Sequence, residues 1–182
     1  MLYSYGKAVW ELALVAATGG LLHIANHAMG KGLLFLASGS IIHETKTRDL
    51  AKIEGVCRKM PLTGFSVAVG LFHLAGIPPL AGFWSKFLII WGGIAYPADT
   101  LLLVCTIIIV LNSIYAGAYY LWLVQRLLIH EPTELAEEAK EAPASMVAPV
   151  FLLAIGCILL TVFIGPALSI VRQVAQALLG GG

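Results

Sequence analysis

From Val69 to Trp91 the chain reads VGLFHLAGIPPLAGFWSKFLIIW, apolar enough for hydrocarbon yet unable to form one helix. Pro78 and Pro79 lack amide hydrogens and crowd the preceding turn, so helical hydrogen bonding must stop around Gly76-Ile77-Pro78-Pro79. A broken helix at membrane depth is tolerated only where its freed carbonyls face protein or a water-filled cavity. Lys86 stands about two turns past the break and is costly against lipid, so it is expected to face the same interior. A half-helix, freed backbone and a buried cation in one segment point to an ion pathway.

With 59% hydrophobic and 12% charged residues, the composition excludes an ordinary soluble domain. The expected fold class is all-α, a polytopic membrane helix bundle of about five transmembrane helices, one broken at the Pro-Pro site. A net charge of +1 gives no basis for nucleic-acid binding, and the expected surroundings are the lipid bilayer. Cys57, Cys105 and Cys157 lack metal-ligand spacing and are read as small apolar core residues. The N-terminus has no basic stretch before its apolar run, so no signal peptide is expected.

Residues 1–20 predict a short first helix, Tyr3 to Thr18, closed by a turn at Gly19-Gly20, with Lys7 and Glu11 spaced to pair. Residues 21–42 predict a full span carrying His23, His27 and Lys31 at i, i+4 and i+8. That spacing draws one stripe along about 12 Å of helix at 1.5 Å per residue. A lone histidine on an apolar helix is ordinarily a hydrogen-bonded core residue. Two histidines and a lysine in register suit a proton relay better. Residues 43–61 form a loop in which Lys46, Arg48, Lys52, Arg58 and Lys59 outnumber the acids.

The broken helix covers 62–94, in halves Leu62–Ala75 and Ala81–Ile94, with His73 one turn before the break and evenly balanced between structure and function. After a turn at Pro97-Ala98-Asp99, helix 4 covers 100–128 with a polar seam of Asn112, Ser113, Tyr115, Tyr119 and Tyr120. The tyrosines are read first as interface anchors. His130 suits the helix C-terminus. Residues 129–145 form an acidic loop, and 146–179 the last helix (to about Val171) and tail. The excess of basic residues on one side places the N-terminus and both charged loops in the cytoplasm and the C-terminus outside.

Proton movement through hydrocarbon needs titratable groups a few ångströms apart, bridged by water. Histidine titrates near neutrality, and desolvation makes a lysine's proton sensitive to hydration and neighbouring charge. Lys86, Lys31, His27, His23 and His73 are therefore the candidate proton path, with Gly76, Pro78 and Pro79 as the helix break. No carboxylate stands inside the spans after the first, so a counter-charge must come from the first helix or another chain. The residues leave two other classes open: a b-type cytochrome anchor with His23 or His27 and His73 on haem, and a passive scaffold. No glycine-rich cofactor loop or cysteine cluster points to catalysis in this chain.

HxxNHAMGKGLLFLASGSII from His23 to Ile42, then TRDL (Thr47–Leu50), MPLT (Met60–Thr63) and GIPPLAGFWSKF (Gly76–Phe87), resemble the antiporter-like membrane subunits of complex I. Related subunits occur in Mrp-type sodium/proton antiporters, membrane-bound hydrogenases and sulfane sulfur reductases. The resemblance is dense from Leu21 to about Ile90 and follows helix order beyond. It implies that these helices belong to the second of two inverted repeats. Lys86 would be the broken-helix lysine, Lys31 the central-axis lysine, and His23 and His27 its relay. A proton- or sodium-translocating subunit of a redox-driven complex is implied, with a stand-alone Mrp-type antiporter as the alternative. Implied partners are other antiporter-like and small membrane subunits and a peripheral redox arm. Iron–sulfur clusters, flavin or a NiFe centre would sit in those partners, with no cofactor here. The family's first repeat has its own glutamate and lysine, which this sequence lacks, so a split subunit completed by neighbouring chains is expected in the cell membrane.

Overall fold

Uninterrupted apolar sequence gives long helices in this chain, and prolines or a left-handed glycine mark where several of them stop. The structure, a computed structural model, describes residues 2–95 and 99–180, with side chains from Gly6 onward. In chain order these form α1 (Leu2–Thr45), a loop with short 3₁₀ turns at Leu50–Lys52 and Val56–Arg58, α2 (Pro61–Ala75) and α3 (Ala81–Ile94). Then come α4 (Thr100–Val124), which runs on through a wider π turn at Gln125–Ile129, the one-turn α5 (Glu134–Glu137), α6 (Ala144–Val162) and α7 (Ile164–Leu178). Helix α1, α4 with its π turn, and α6 are long and apolar enough to cross a membrane; α2 and α3 are the shorter apolar halves of the broken segment. The chain is a multi-pass membrane helix bundle. Pro97 and Ala98 of the expected turn, and Gly181 and Gly182 of the tail, lie outside the described residues.

Two expected boundaries are corrected. Gly19 and Gly20 do not turn the chain; both lie inside α1. A Cβ at Gly19 would meet Leu88 Cβ and the Ile89 amide nitrogen at 2.8 Å, so the glycine is a notch for close helix contact. At 1.5 Å per residue α1 is about 66 Å long, roughly twice a hydrocarbon core. The broken pair lies antiparallel along it, from Gly92 against Ala16 to Gly70 against Leu34. The N-terminal third of α1 projects past α3 and is met by α7, where Glu11 pairs with Arg172 at 2.9 Å rather than with Lys7.

The last helix is also shorter than expected. It ends at Val162, Phe163 departs from helical geometry (φ −98°, ψ 30°), and α7 begins at Ile164. Pro166, in the first turn of α7, has no amide to offer the Val162 carbonyl, which permits the break. Helix α7 then packs back on α1.

The basic loop after α1 and the acidic loop after α4 interlock at one end of the bundle. Glu54 binds both Arg126 and His130, the latter at 2.8 Å; Arg58 pairs with Glu131 at 2.8 Å, and Lys59 with Glu137. Glu141 accepts from the Leu62 amide at 2.9 Å and the Thr63 amide at 3.2 Å, capping the N-terminus of α2 from a distance in sequence. His130, expected to be structural at its helix end, is also a cross-loop contact. Cys57 is buried beside this junction, and burial pushes its thiol up to about 12.

The hydrogen bond from His130 holds the Glu54 carboxyl below its usual range, with the Arg126 charge adding to the effect. A carboxyl depressed in the folded state stabilises above its unfolded value of about 4.3 and loses that contribution as pH falls through the folded value. Glu54→Gln is therefore expected to speed hydrogen exchange at Gly55 and Thr133, whose amides bond Arg126 O and Glu54 O. The difference from wild type should vanish in acid. Equal exchange at neutral pH would show that the junction does not depend on Glu54.

Candidate functional site

The site is built around the gap between α2 and α3. Gly76 adopts the left-handed conformation (φ +77°), and its amide closes α2 onto Phe72 O and His73 O. The next two carbonyls, Leu74 O and Ala75 O, come where helical donors run out. Lys86, from the second turn of α3, supplies them, its Nζ lying 2.9 Å from Leu74 O and 3.1 Å from Ala75 O. The break thus makes an acceptor pair for one ammonium, and the lysine faces inward as expected.

Neighbouring helices brace the gap. Asn26 Nδ2 of α1 donates to Ala81 O at 2.8 Å, and the Ala81 amide donates to Thr161 Oγ1 of α6 at 2.9 Å. His73 Nε2 reaches the Asn26 backbone carbonyl at 3.2 Å. This approach needs Gly30, where a Cβ would lie 3.1 Å from the His73 ring and 2.7 Å from Leu74. Ser85 Oγ donates to Gly82 O at 3.0 Å, so its contact with His23 Nδ1 at 3.1 Å is best satisfied by His23 donating. The His23 and His27 rings follow at 5.6 Å between centroids.

Two cavities result. His23, Asn26, His27, His73, Gly82 and Lys86 surround a void of about 10 Å³. A turn further along α1, Lys31 lies 5.8 Å from the centre of the Tyr120 ring. It faces a cleft of about 380 Å³ that continues past Ser38 and Tyr119 to Arg48 at the charged-loop end. Of the residues expected to form a path, the structure gathers Lys86, His23, His27 and His73 round the small void and sets Lys31 in the separate cleft. His73 is fully buried, whereas His27 is exposed on the flank of α1. Spacing alone missed Asn26, Thr161 and Ser85. Asn26 could have been found, since a polar amide three residues past His23 in an apolar span calls for a partner.

Chemically the arrangement can hold and pass protons. No group of three or more histidine, cysteine or acidic side chains able to hold a metal occurs among the described residues.

The sequence from residue 8 to 112 matches the family described as NADH:quinone oxidoreductase/Mrp antiporter, transmembrane. Over 98% of its length the chain is 28% identical to the Na(+)/H(+) antiporter subunit A1 of Staphylococcus haemolyticus. Over 82% it is 33% identical to hydrogenase-4 component B of Escherichia coli. Among solved structures, a chain of the archaeal membrane-bound sulfane sulfur reductase superposes on 78% of this one with a TM-score of 0.66 and 30% identity. The chain covers only 23% of the length of each of these three relatives. The first two are named as a subunit and a component, and the third is a chain of a respiratory membrane complex.

Proposed function

The chain belongs to the NADH:quinone oxidoreductase/Mrp antiporter membrane family, and from that premise we propose that it is an antiporter-like subunit moving protons, or sodium in exchange for them, within a multisubunit membrane complex. The observation that carries this is Lys86 on the broken helix, holding the two end carbonyls of α2 beside three histidines. The path joins Lys86 and His73 to His23 and His27, then passes to Lys31 and out by the cleft toward Arg48.

A redox-driven parent complex is favoured, with other antiporter-like and small membrane subunits around this one. In it a peripheral arm would hold the iron–sulfur, flavin or NiFe centres. A stand-alone exchanger is the second reading, because the antiporter subunit aligns along nearly the whole chain. The haem alternative loses support. His73 Nε2 is held by Asn26 O, and the space among the histidines is about 10 Å³, far below a macrocycle's needs.

The continuous α1 supports one orientation, since it puts its own N-terminal end and the basic loop at opposite ends. The charged-loop end carries Lys46, Arg48, Lys52, Arg58, Lys59, Arg126 and Lys140, against Lys7 and Arg172 at the other. We therefore place both loops in the cytoplasm of the cell and both termini outside, which revises the side expected for the N-terminus.

The test is Lys31→Ala in the complex purified with this chain tagged. Ion movement, measured with pH- and sodium-sensitive dyes in vesicles, is expected to fall while the set of co-purifying subunits stays the same. Unchanged ion movement would sink the path. Redox subunits with an iron–sulfur or flavin spectrum would select the first parent, and antiporter subunits without a chromophore the second.

A further inference from the structure

Asn26 and His73 are 2% and 1% exposed. Each carries one side-chain atom with no protein partner among the described residues, Asn26 Oδ1 and His73 Nδ1. Buried polar atoms are nearly always paired, with protein or with ordered water. Both residues line the void beside Lys86, and its volume of about 10 Å³ is close to the room one water needs.

The hydrogen-bond directions define what fits there. His73 Nε2 faces the Asn26 carbonyl, which can only accept, so the network puts the ring proton on Nε2 and leaves neutral Nδ1 an acceptor. Asn26 Nδ2 donates to Ala81 O, which fixes Oδ1 as an acceptor too. Two acceptors call for two donated hydrogens, the number a water molecule has. The Lys86 ammonium directs two of its three N–H bonds to Leu74 O and Ala75 O, and the third remains for the water's oxygen.

We propose that one ordered water binds between Lys86, Asn26 and His73, donating to Asn26 Oδ1 and His73 Nδ1 and accepting from Lys86, and that it makes His73 the group exchanging a proton with Lys86. The water stands on the geometry of the void; its use in exchange rests on the transport function proposed above. In the exchange, one N–H bond of Lys86 breaks as its proton joins the water's oxygen. The water's O–H toward His73 breaks in turn, and that proton bonds Nδ1. A neutral amine, an imidazolium and an unchanged water result. Asn26 is a positioning residue, its backbone setting the His73 tautomer and its side chain holding the water.

Solid-state NMR of the full chain in lipid bilayers, with ¹⁵N-labelled histidine, tests the site. The wild type is expected to show His73 as the Nε2–H tautomer, with magnetisation from water protons reaching Nδ1. Asn26→Leu should lose that transfer. An Nδ1–H tautomer, or no transfer from water in the wild type, overturns the site whether or not Asn26→Leu folds. A folded Asn26→Leu that keeps the transfer overturns it as well. His73→Gln in the parent complex tests the exchange: ion movement is expected to fall, and normal movement overturns that role while leaving the water. Normal movement in Lys31→Ala would instead count against the transport path, with the NMR result unaffected.

Discussion

Lys86→Met is expected to slow ion movement through this chain by about 10²-fold, the lower end of what a positioned proton-transfer group contributes. In a redox-driven parent the readout is ions moved per electron, which should drop by this subunit's whole share. Methionine fills most of the space of the lysine stem but supplies no donor, so Leu74 O and Ala75 O lose their partner. An unpaired buried carbonyl costs about 1–3 kcal/mol, and some loss of assembly could be mistaken for loss of transport. Lys86→Arg separates the two effects. Its guanidinium can still donate to both carbonyls, yet it stays protonated at any working pH. Assembly is therefore expected to survive in the arginine variant while transport is still lost. Full transport with arginine would mean that a fixed charge suffices there and that Lys86 does not release its proton.

That pairing of lysine and break was legible in the sequence because two prolines and a lysine in an apolar run leave few arrangements. The halves α2 and α3 fall where proline chemistry puts them, and the inward lysine follows from the cost of facing lipid. The two crossings between them, the broken helix and helix 4, likewise put the basic and acidic loops at one end. What the sequence hid was the use made of glycine. Gly19-Gly20 carries the signal of a turn, yet in α1 the missing side chain at Gly19 lets Leu88 and Ile89 approach. A turn and a packing notch ask for the same residue, and only the neighbouring helix distinguishes them. Asn26 was hidden for a related reason: its partners, Ala81 O and the His73 ring, lie 55 and 47 residues away. The spacing of His23, His27 and Lys31 draws one stripe, whereas the structure sets the two histidines at the small void and Lys31 in the cleft. The stripe's division between a small void and a larger cleft depends on Tyr120 and the loops, which spacing within one helix does not report.

Glycine also sets the second large effect. Gly82 opens α3 directly beneath the end of α2, and a Cβ there would lie 1.9 Å from the His73 carbonyl oxygen. The obstacle is backbone, so no side-chain rotation relieves it, and α3 must move away from α2. Overpacking of this kind costs about 3 kcal/mol or more, the upper end of the usual range. Gly82 and Lys86 are four residues apart on one helical face. Displacing the first therefore draws Lys86 Nζ away from Leu74 O and Ala75 O, and pulls Ala81 from Asn26 and Thr161. Gly82→Ala is expected to lower thermal stability in detergent and to abolish ion movement together. Gly20→Ala is the control. It lies mid-helix with nothing within 4 Å of its Cβ direction, so alanine should be neutral or stabilise by up to about 1 kcal/mol. A Gly82→Ala chain as stable as Gly20→Ala would mean that the α2–α3 contact is looser than described, and the placement of Lys86 against the broken end would fall with it.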